Sequence, residues 1–518
     1  MDHTCRGPRR RRAPALVIAL VLSLVLPALP CLAQNLPEFE KSVTEFTLDN
    51  GMKFIVVERR RVPIVAFHLY VDVGAAQENI GQTGVSHLFE HMAFKGTRTI
   101  GTVDYKLETE ALQAVDAAYE ALEAERAKGD QADPARVKQL QAAFEEAQQR
   151  AGKYVKTDEF SQIIDRAGGV GLNASTAADA TKYYFALPSN KLELWFSLES
   201  GRFLEPVLRE YYKERDVVLE ERRMRTESQP FGRLLEEFLA AAYKAHPYGQ
   251  PVVGHFSEIS RLKRQEAGEY FRRNYVASAL TAVVVGDVDA AEVKRLAQTY
   301  FGRLPKRPPP DPLRTVEPPQ FGERRVIVEA QSQPYVLLGY HRPGASHPDS
   351  AVLDVISDIL GGGRTSWLYE ELVKKRKIAV AAEAITGYPG EKYPGLFIFF
   401  GVPAAGQTAE EVEKAMEGVI ERIRAETAKP EELEEVKRRA RAAVLRSMRS
   451  YSGLAEVLAE NEVLLGDWRE LFRQLDTLEK VTPDDVQRAA RQYFRRSNRT
   501  VGWLVPEQQP AAKAATSE

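Results

Sequence analysis

Cysteine is nearly absent. The chain of 518 residues has only Cys5 and Cys31. Beyond position 31 no disulfide, thiolate-ligated metal or thiol nucleophile can form. Net charge is scarce too: 71 Lys and Arg stand against 73 Asp and Glu, giving −2, without the basic excess of a nucleic-acid binder. After the first thirty-odd residues no apolar run is long enough to predict a transmembrane anchor. No glycine or proline period suggests a fibre, and 44% apolar residues exceeds what a disordered chain carries. The remaining possibility is a globular chain too long for one core, hence two or more domains.

The N-terminus has the layout of an export signal. Arg6, Arg9, Arg10, Arg11 and Arg12 precede an apolar run over 15–29, with Ala33 at a small-residue cleavage position. The run is short for a membrane span and is interrupted by Pro27. This predicts a signal peptide over residues 1–33 and a periplasmic or secreted protein without a membrane anchor. Five arginines against Asp2 make those 33 residues +4, so the other 485 carry −6.

The body alternates strand and helix signals. Two β-rich runs flank Asp49-Asn50-Gly51, a hairpin signature. A strand follows over 64–73, then a helix from about Gln82 to Lys95, stopped by Gly96. Residues 103–156 differ in composition, being rich in Ala, Glu, Gln, Lys and Arg. Leu107, Leu112, Val115, Tyr119 and Leu122, then Val137, Leu140, Phe144 and Ala147, fall at helical spacings about a break at 129–134. They predict two antiparallel helices inserted in the first domain, as a solvated insertion or a partner-docking arm. A proline-rich stretch over 306–321 reads as a linker. Tyr270-Phe-Arg-Arg273 and Tyr493-Phe-Arg-Arg496 each follow an amphipathic helix and lead into an apolar strand. That echo predicts duplicated halves, over 41–305 and 322–507, with a disordered tail at 508–518.

Chemistry concentrates in His87-Leu-Phe-Glu90-His91. Histidines four apart share a helix face and can hold one metal ion together. Glu90 is placed to face a water at that ion without ligating it, as a general base. Two histidines leave the ligand set incomplete. On pattern alone the charged helix around Glu214 and Glu221 is an ordinary solvated face. His68, His246, His255, His341 and His347 have no metal-ligand spacing.

Gly84-Val-Ser-His-Leu-Phe-Glu-His-Met-Ala-Phe-Lys-Gly-Thr97 resembles the active-site segment of the pitrilysin/insulinase family of zinc metallopeptidases. The resemblance runs over about residues 41–507. It implies an α+β fold of two related αβ domains, antiparallel sheets with packed helices, facing each other across a chamber. It implies one zinc ion on His87, His91 and Glu221, with Glu214, seven residues earlier, orienting a ligand histidine. The separation of His91 from Glu221 exceeds the family's usual one, and the hairpin accounts for the excess. Gly168-Gly-Val-Gly-Leu-Asn173-Ala174-Ser-Thr176 is similar to the family's edge strand that pairs with peptide substrates, which implies substrate contacts at Asn173 and Ala174.

One departure matters. Many family members place an arginine and, seven residues later, a tyrosine in the second half, where they bind and polarise substrate; the aligned positions here hold Val373 and Val380. The expectation is therefore an exported zinc endopeptidase acting on peptides or small unfolded proteins. Its partner would be a paralogous subunit supplying the Arg/Tyr pair, in a hetero-oligomer. The alternative is a non-catalytic scaffold or assembly subunit.

Overall fold

A computed structural model describes residues 36–507. The signal peptide expected over 1–33 and the tail expected over 508–518 lie outside the described residues.

The fold is α+β, built on two sheets. The first has strands β1 (Val43–Thr47), β2 (Lys53–Glu58), β3 (Ile64–Val71), β4 (Val170–Thr176), β5 (Thr181–Pro188) and β6 (Leu280–Gly286), in the order β1-β2-β6-β3-β5-β4. The second has β7 (Arg324–Ala330), β8 (Tyr335–His341), β9 (Ala379–Tyr388), β10 (Leu396–Pro403) and β11 (Arg499–Pro506), in the order β7-β11-β8-β10-β9. Without β1 the two orders correspond strand for strand. Each has one parallel pair, β2 with β6 and β7 with β11, and its other pairs are antiparallel. The duplication suggested by the two Tyr-Phe-Arg-Arg segments is thus a shared topology: they lead into β6 and β11, which are equivalent strands.

The halves are interlocked. The helix Pro230–Ala242 belongs to the first half by sequence, yet packs on β7 and β11. There Leu234, Phe238 and Leu239 join Leu337, Ile398 and Leu504 in one apolar cluster. Conversely the helix Tyr451–Leu465 packs on β3 and β6, where Leu454, Leu458 and Trp468 meet Ile55, Tyr70 and Val283. Each half lends a helix to the other half's sheet. Sequence periodicity marks such a helix as amphipathic but not which sheet its apolar face covers.

Residues 103–156 form the expected pair of antiparallel helices, Tyr105–Arg126 and Pro134–Gly152. They do not stand clear of the domain. Leu112, Val115, Tyr119, Leu122, Phe144 and Ala147 are buried in the core that also holds Val85, Leu88 and Met92. Glu108 pairs with Arg209, both fully buried. Arg209 also donates to the carbonyls of Thr97 and Ile100, at 2.6 and 2.9 Å. Removing either member would strand the other's charge in the core. The hairpin is therefore structural over most of its length, and only its tip, near Gly129–Gln131, is free of buried side chains.

Candidate metal centre

The helix Val85–Met92 carries His87, Glu90 and His91. It is shorter than the stretch expected at 82–95, and its start is set by backbone geometry. Gly84 precedes it with φ of +86°, and a Cβ there would lie 2.5 Å from the Val253 carbonyl oxygen. Only glycine fits. Glu78 accepts hydrogen bonds from the Gly84 and Ser86 amides, both at 2.7 Å, and so satisfies donors at the helix start. Burial pushes its carboxyl up to about 8, against the pull of those two amides. Val85, Leu88, Phe89 and Met92 are buried in the first core, fixing which face the histidines present.

Glu214 and Glu221 lie on the helix Tyr211–Arg222, two turns apart and on one face. The hairpin braces this helix. The ring centroids of Tyr119 and Tyr212 are 4.3 Å apart, and Arg215 donates to the Tyr119 hydroxyl at 2.7 Å.

The two helices bring His87, His91 and Glu221 together, each offering a ligand atom within 4.8 Å of the others. Nε2 of His87 lies 3.6 Å from Glu221 Oε1, and Nε2 of His91 lies 3.3 Å from Oε2. The rings meet nearly edge to face, with centroids 4.9 Å apart. Nδ1 of His91 is held by Glu214 Oε1 at 3.0 Å, leaving Nε2 facing Glu221. Lys95 holds the other Glu214 oxygen at 2.6 Å.

The electrostatics follow from burial and these pairs. Desolvation, reinforced by the neighbouring His91, lowers the His87 imidazolium to about 4, so the ring is neutral at physiological pH. Burial acts the same way on His91, but the Glu214 hydrogen bond and the surrounding carboxylates outweigh it and raise its pKa. The Glu214 carboxyl is held at about 2, with His91 and Lys95 overcoming its own desolvation. Burial pushes the Glu90 carboxyl up. A neutral imidazole, a second imidazole fixed through its far nitrogen and a carboxylate form a donor set suited to zinc.

Glu220, next to the ligand candidate Glu221, pairs instead with Arg223 at 2.7 Å. Asn173 and Ala174 lie on β4, an edge of the first sheet, and line a cavity of about 680 Å³ with His87, Glu90, His91 and Glu221. Val373 packs against the second core, Val380 is 59% exposed on β9, and neither lines that cavity. His68 and His246 are buried and are not part of the ligand group. His246-Pro-Tyr-Gly249 is structural: Tyr248 is fully buried and donates to Asp179 at 2.5 Å. Three residues were missed. Arg225, four residues after Glu221, sits 2.6 Å from its Oε1, and that spacing was a readable signal. Glu78 and Tyr388 gave none.

Comparison with known proteins gives the family. A model described as Insulinase (Peptidase family M16) matches residues 54–124 and 147–255, and one described as Peptidase M16 inactive domain matches 261–440. The chain belongs to peptidase family M16. Among M16 relatives, the zinc protease PqqE of Helicobacter pylori is 27% identical over 473 residues, 89% of this chain and 92% of that protein. An uncharacterised zinc protease of Mycobacterium leprae is 25% identical over 455 residues, 87% and 89% of the two chains. A protease structure from Helicobacter pylori aligns with a TM-score of 0.75 at 26% identity, covering 90% of this chain and 99% of that one. The first half of the periplasmic protease PqqL from Escherichia coli aligns at 0.65 and 16%, a likeness of fold. The segment that the insulinase model skips, 125–146, is narrower than the insertion expected at 103–156.

Proposed function

We propose that this M16 chain is a zinc metalloendopeptidase that hydrolyses peptides or small unfolded proteins. The observation that carries the reading is the convergence of His87, His91 and Glu221 within 4.8 Å in a cavity that Glu90 and the β4 edge also line. When bound by those three residues, zinc supplies Lewis acidity, polarising a carbonyl and acidifying a water. Glu90 takes the proton of the attacking water and returns it to the leaving amine; its raised pKa suits both roles. Glu214 fixes the tautomer of His91, and Lys95 keeps Glu214 ionised. β4 offers its unpaired backbone to an extended peptide, with Asn173 and Ala174 in contact with it, a recognition mode that depends little on sequence.

The N-terminal arginine and apolar segment directs the chain to the periplasm or outside the cell. Consistent with this, no helix among the described residues is long and apolar enough to cross a membrane.

A scaffold role is the second reading, favoured by the second half's match to a domain described as inactive. Cleavage of a quenched-fluorescence peptide mixture separates the two. A peptidase loses cleavage on chelation, regains it on adding zinc, and loses it in Glu90→Gln. A scaffold cleaves nothing in any state.

A further inference from the structure

If Val373 and Val380 stand away from the cavity, some other donors must hold the substrate, and the cavity contains two. Arg225 is the one lysine or arginine in its wall among the described residues, and Tyr388 the one tyrosine. Arg225 follows Glu221 by one turn, in the irregular segment Arg223–Glu227 that ends the helix. One Nη contacts Glu221, while the side chain is 74% exposed. A guanidinium has five donors, so the contact with Glu221 leaves most of them accessible on a side chain that lines the cavity.

Tyr388 arrives from the other half, at the end of β9, the strand equivalent to β4. The turn that follows it is pinned to the first half. Asp179, 6% exposed, accepts from the amides of Glu391 and Lys392 at 2.8 and 3.0 Å and from the Tyr248 hydroxyl at 2.5 Å. Tyr248 accepts in turn from the Tyr393 amide at 3.2 Å, and Lys392 pairs with Asp72. Gly390 passes so close that a Cβ would sit 2.5 Å from both the Asp179 carboxylate and the Tyr248 hydroxyl. This latch and the exchanged helices fix Tyr388 in the cavity wall before any substrate arrives, as preorganised donors require.

Building on the peptidase reading, we propose that Arg225 and Tyr388 of this same chain bind the substrate backbone, their guanidinium and phenol donating to its carbonyl oxygens. The chain then needs no second subunit to supply an arginine and tyrosine. The substrate class is an extended peptide gripped on one side by β4 and on the other by a donor from each half.

The test uses the full chain in two backgrounds. In Glu90→Gln, where peptide binds uncleaved, anisotropy of a labelled unstructured peptide should show about tenfold weaker binding on adding Tyr388→Phe or Arg225→Gln, the loss of one hydrogen bond from a phenol or a charged donor. Arg225→Lys should recover part of it. In the otherwise unaltered chain both variants should lower kcat/KM while zinc content and thermal midpoint hold. Unchanged peptide affinity in both variants would overturn the proposal. So would cleavage that appears only on mixing with a paralogous chain bearing an Arg/Tyr pair. An isolated chain that holds no zinc and cleaves nothing overturns the peptidase reading instead, and this proposal with it.

Discussion

The two halves share a strand order and differ in the helix that follows their equivalent third strands, β3 and β8. In the first half Val85–Met92 buries Val85, Leu88 and Met92 and turns His87, Glu90 and His91 to the cavity. In the second half Ser350–Gly361 buries Val352, Leu353, Val355, Ile356, Ile359 and Leu360 and has no histidine. The scaffold therefore does not require the chemistry. The first half carries features with no counterpart on the second half's helix: a half-buried glutamate capping its start, two histidines on one face, and a helical hairpin bracing the Glu214–Glu221 helix. Glu78 and His91 have hydrogen-bond partners there, whereas Nδ1 of His87 is buried without one, a desolvation cost the second half's helix does not carry.

The largest expected effect breaks that asymmetry. Replacing residues 105–154 by a short linker should abolish folding, because it removes Tyr119, Leu122 and Phe144 from the core and leaves Arg209 buried without Glu108. Shortening only 128–132 should leave the thermal midpoint within a few degrees. Both are read by thermal unfolding, and a stable, zinc-binding full deletion would show the hairpin to be an appendage after all.

A smaller effect concerns the join between halves. Asp179→Ala leaves the amides of Glu391 and Lys392 and the Tyr248 hydroxyl without their buried acceptor. It should cost about 2–4 kcal/mol in denaturant unfolding, since stranded donors cost more than the bonds themselves return. Asp179→Asn, which keeps one acceptor oxygen, should cost less. Equal, negligible losses would mean that the latch is not structural.

The effect that is smallest near neutral pH comes from a titration and grows as pH falls. His68 is buried on β3 beside Tyr184, with Nε2 unpartnered; desolvation, reinforced by Lys182, lowers its pKa from 6.5 to about 3. Below 6.5 the unfolded chain takes up a proton that the native chain refuses. Stability from this residue therefore falls as pH drops from about 6.5 to about 3 and is level outside that window. His68→Phe should flatten that part of the stability profile. An unchanged slope would assign acid sensitivity elsewhere.

How much of this the sequence disclosed depended on the distance between partners. The His87, Glu90 and His91 set, the seven-residue step from Glu214 to Glu221 and the β4 segment were legible because each is local. The two Tyr-Phe-Arg-Arg segments correctly indicated duplication. Long-range contacts were not legible. Nothing in Leu112 or Tyr119 shows that their stripe faces Tyr212 rather than solvent, and nothing in Phe238 or Leu458 shows that each covers the other half's sheet. Tyr388 reaches the site only through the fold, by way of Asp179 and a glycine whose need is visible only in three dimensions.

The central claim is a division of labour among three acidic residues: Glu221 as ligand, Glu90 as base, Glu214 as support. Elemental analysis of the purified full chain tests it directly. About one zinc per chain is expected in the unaltered protein and in Glu90→Gln, and much less in Glu221→Gln. Equal zinc in the Glu90 and Glu221 variants, whether retained or lost together, would contradict the account.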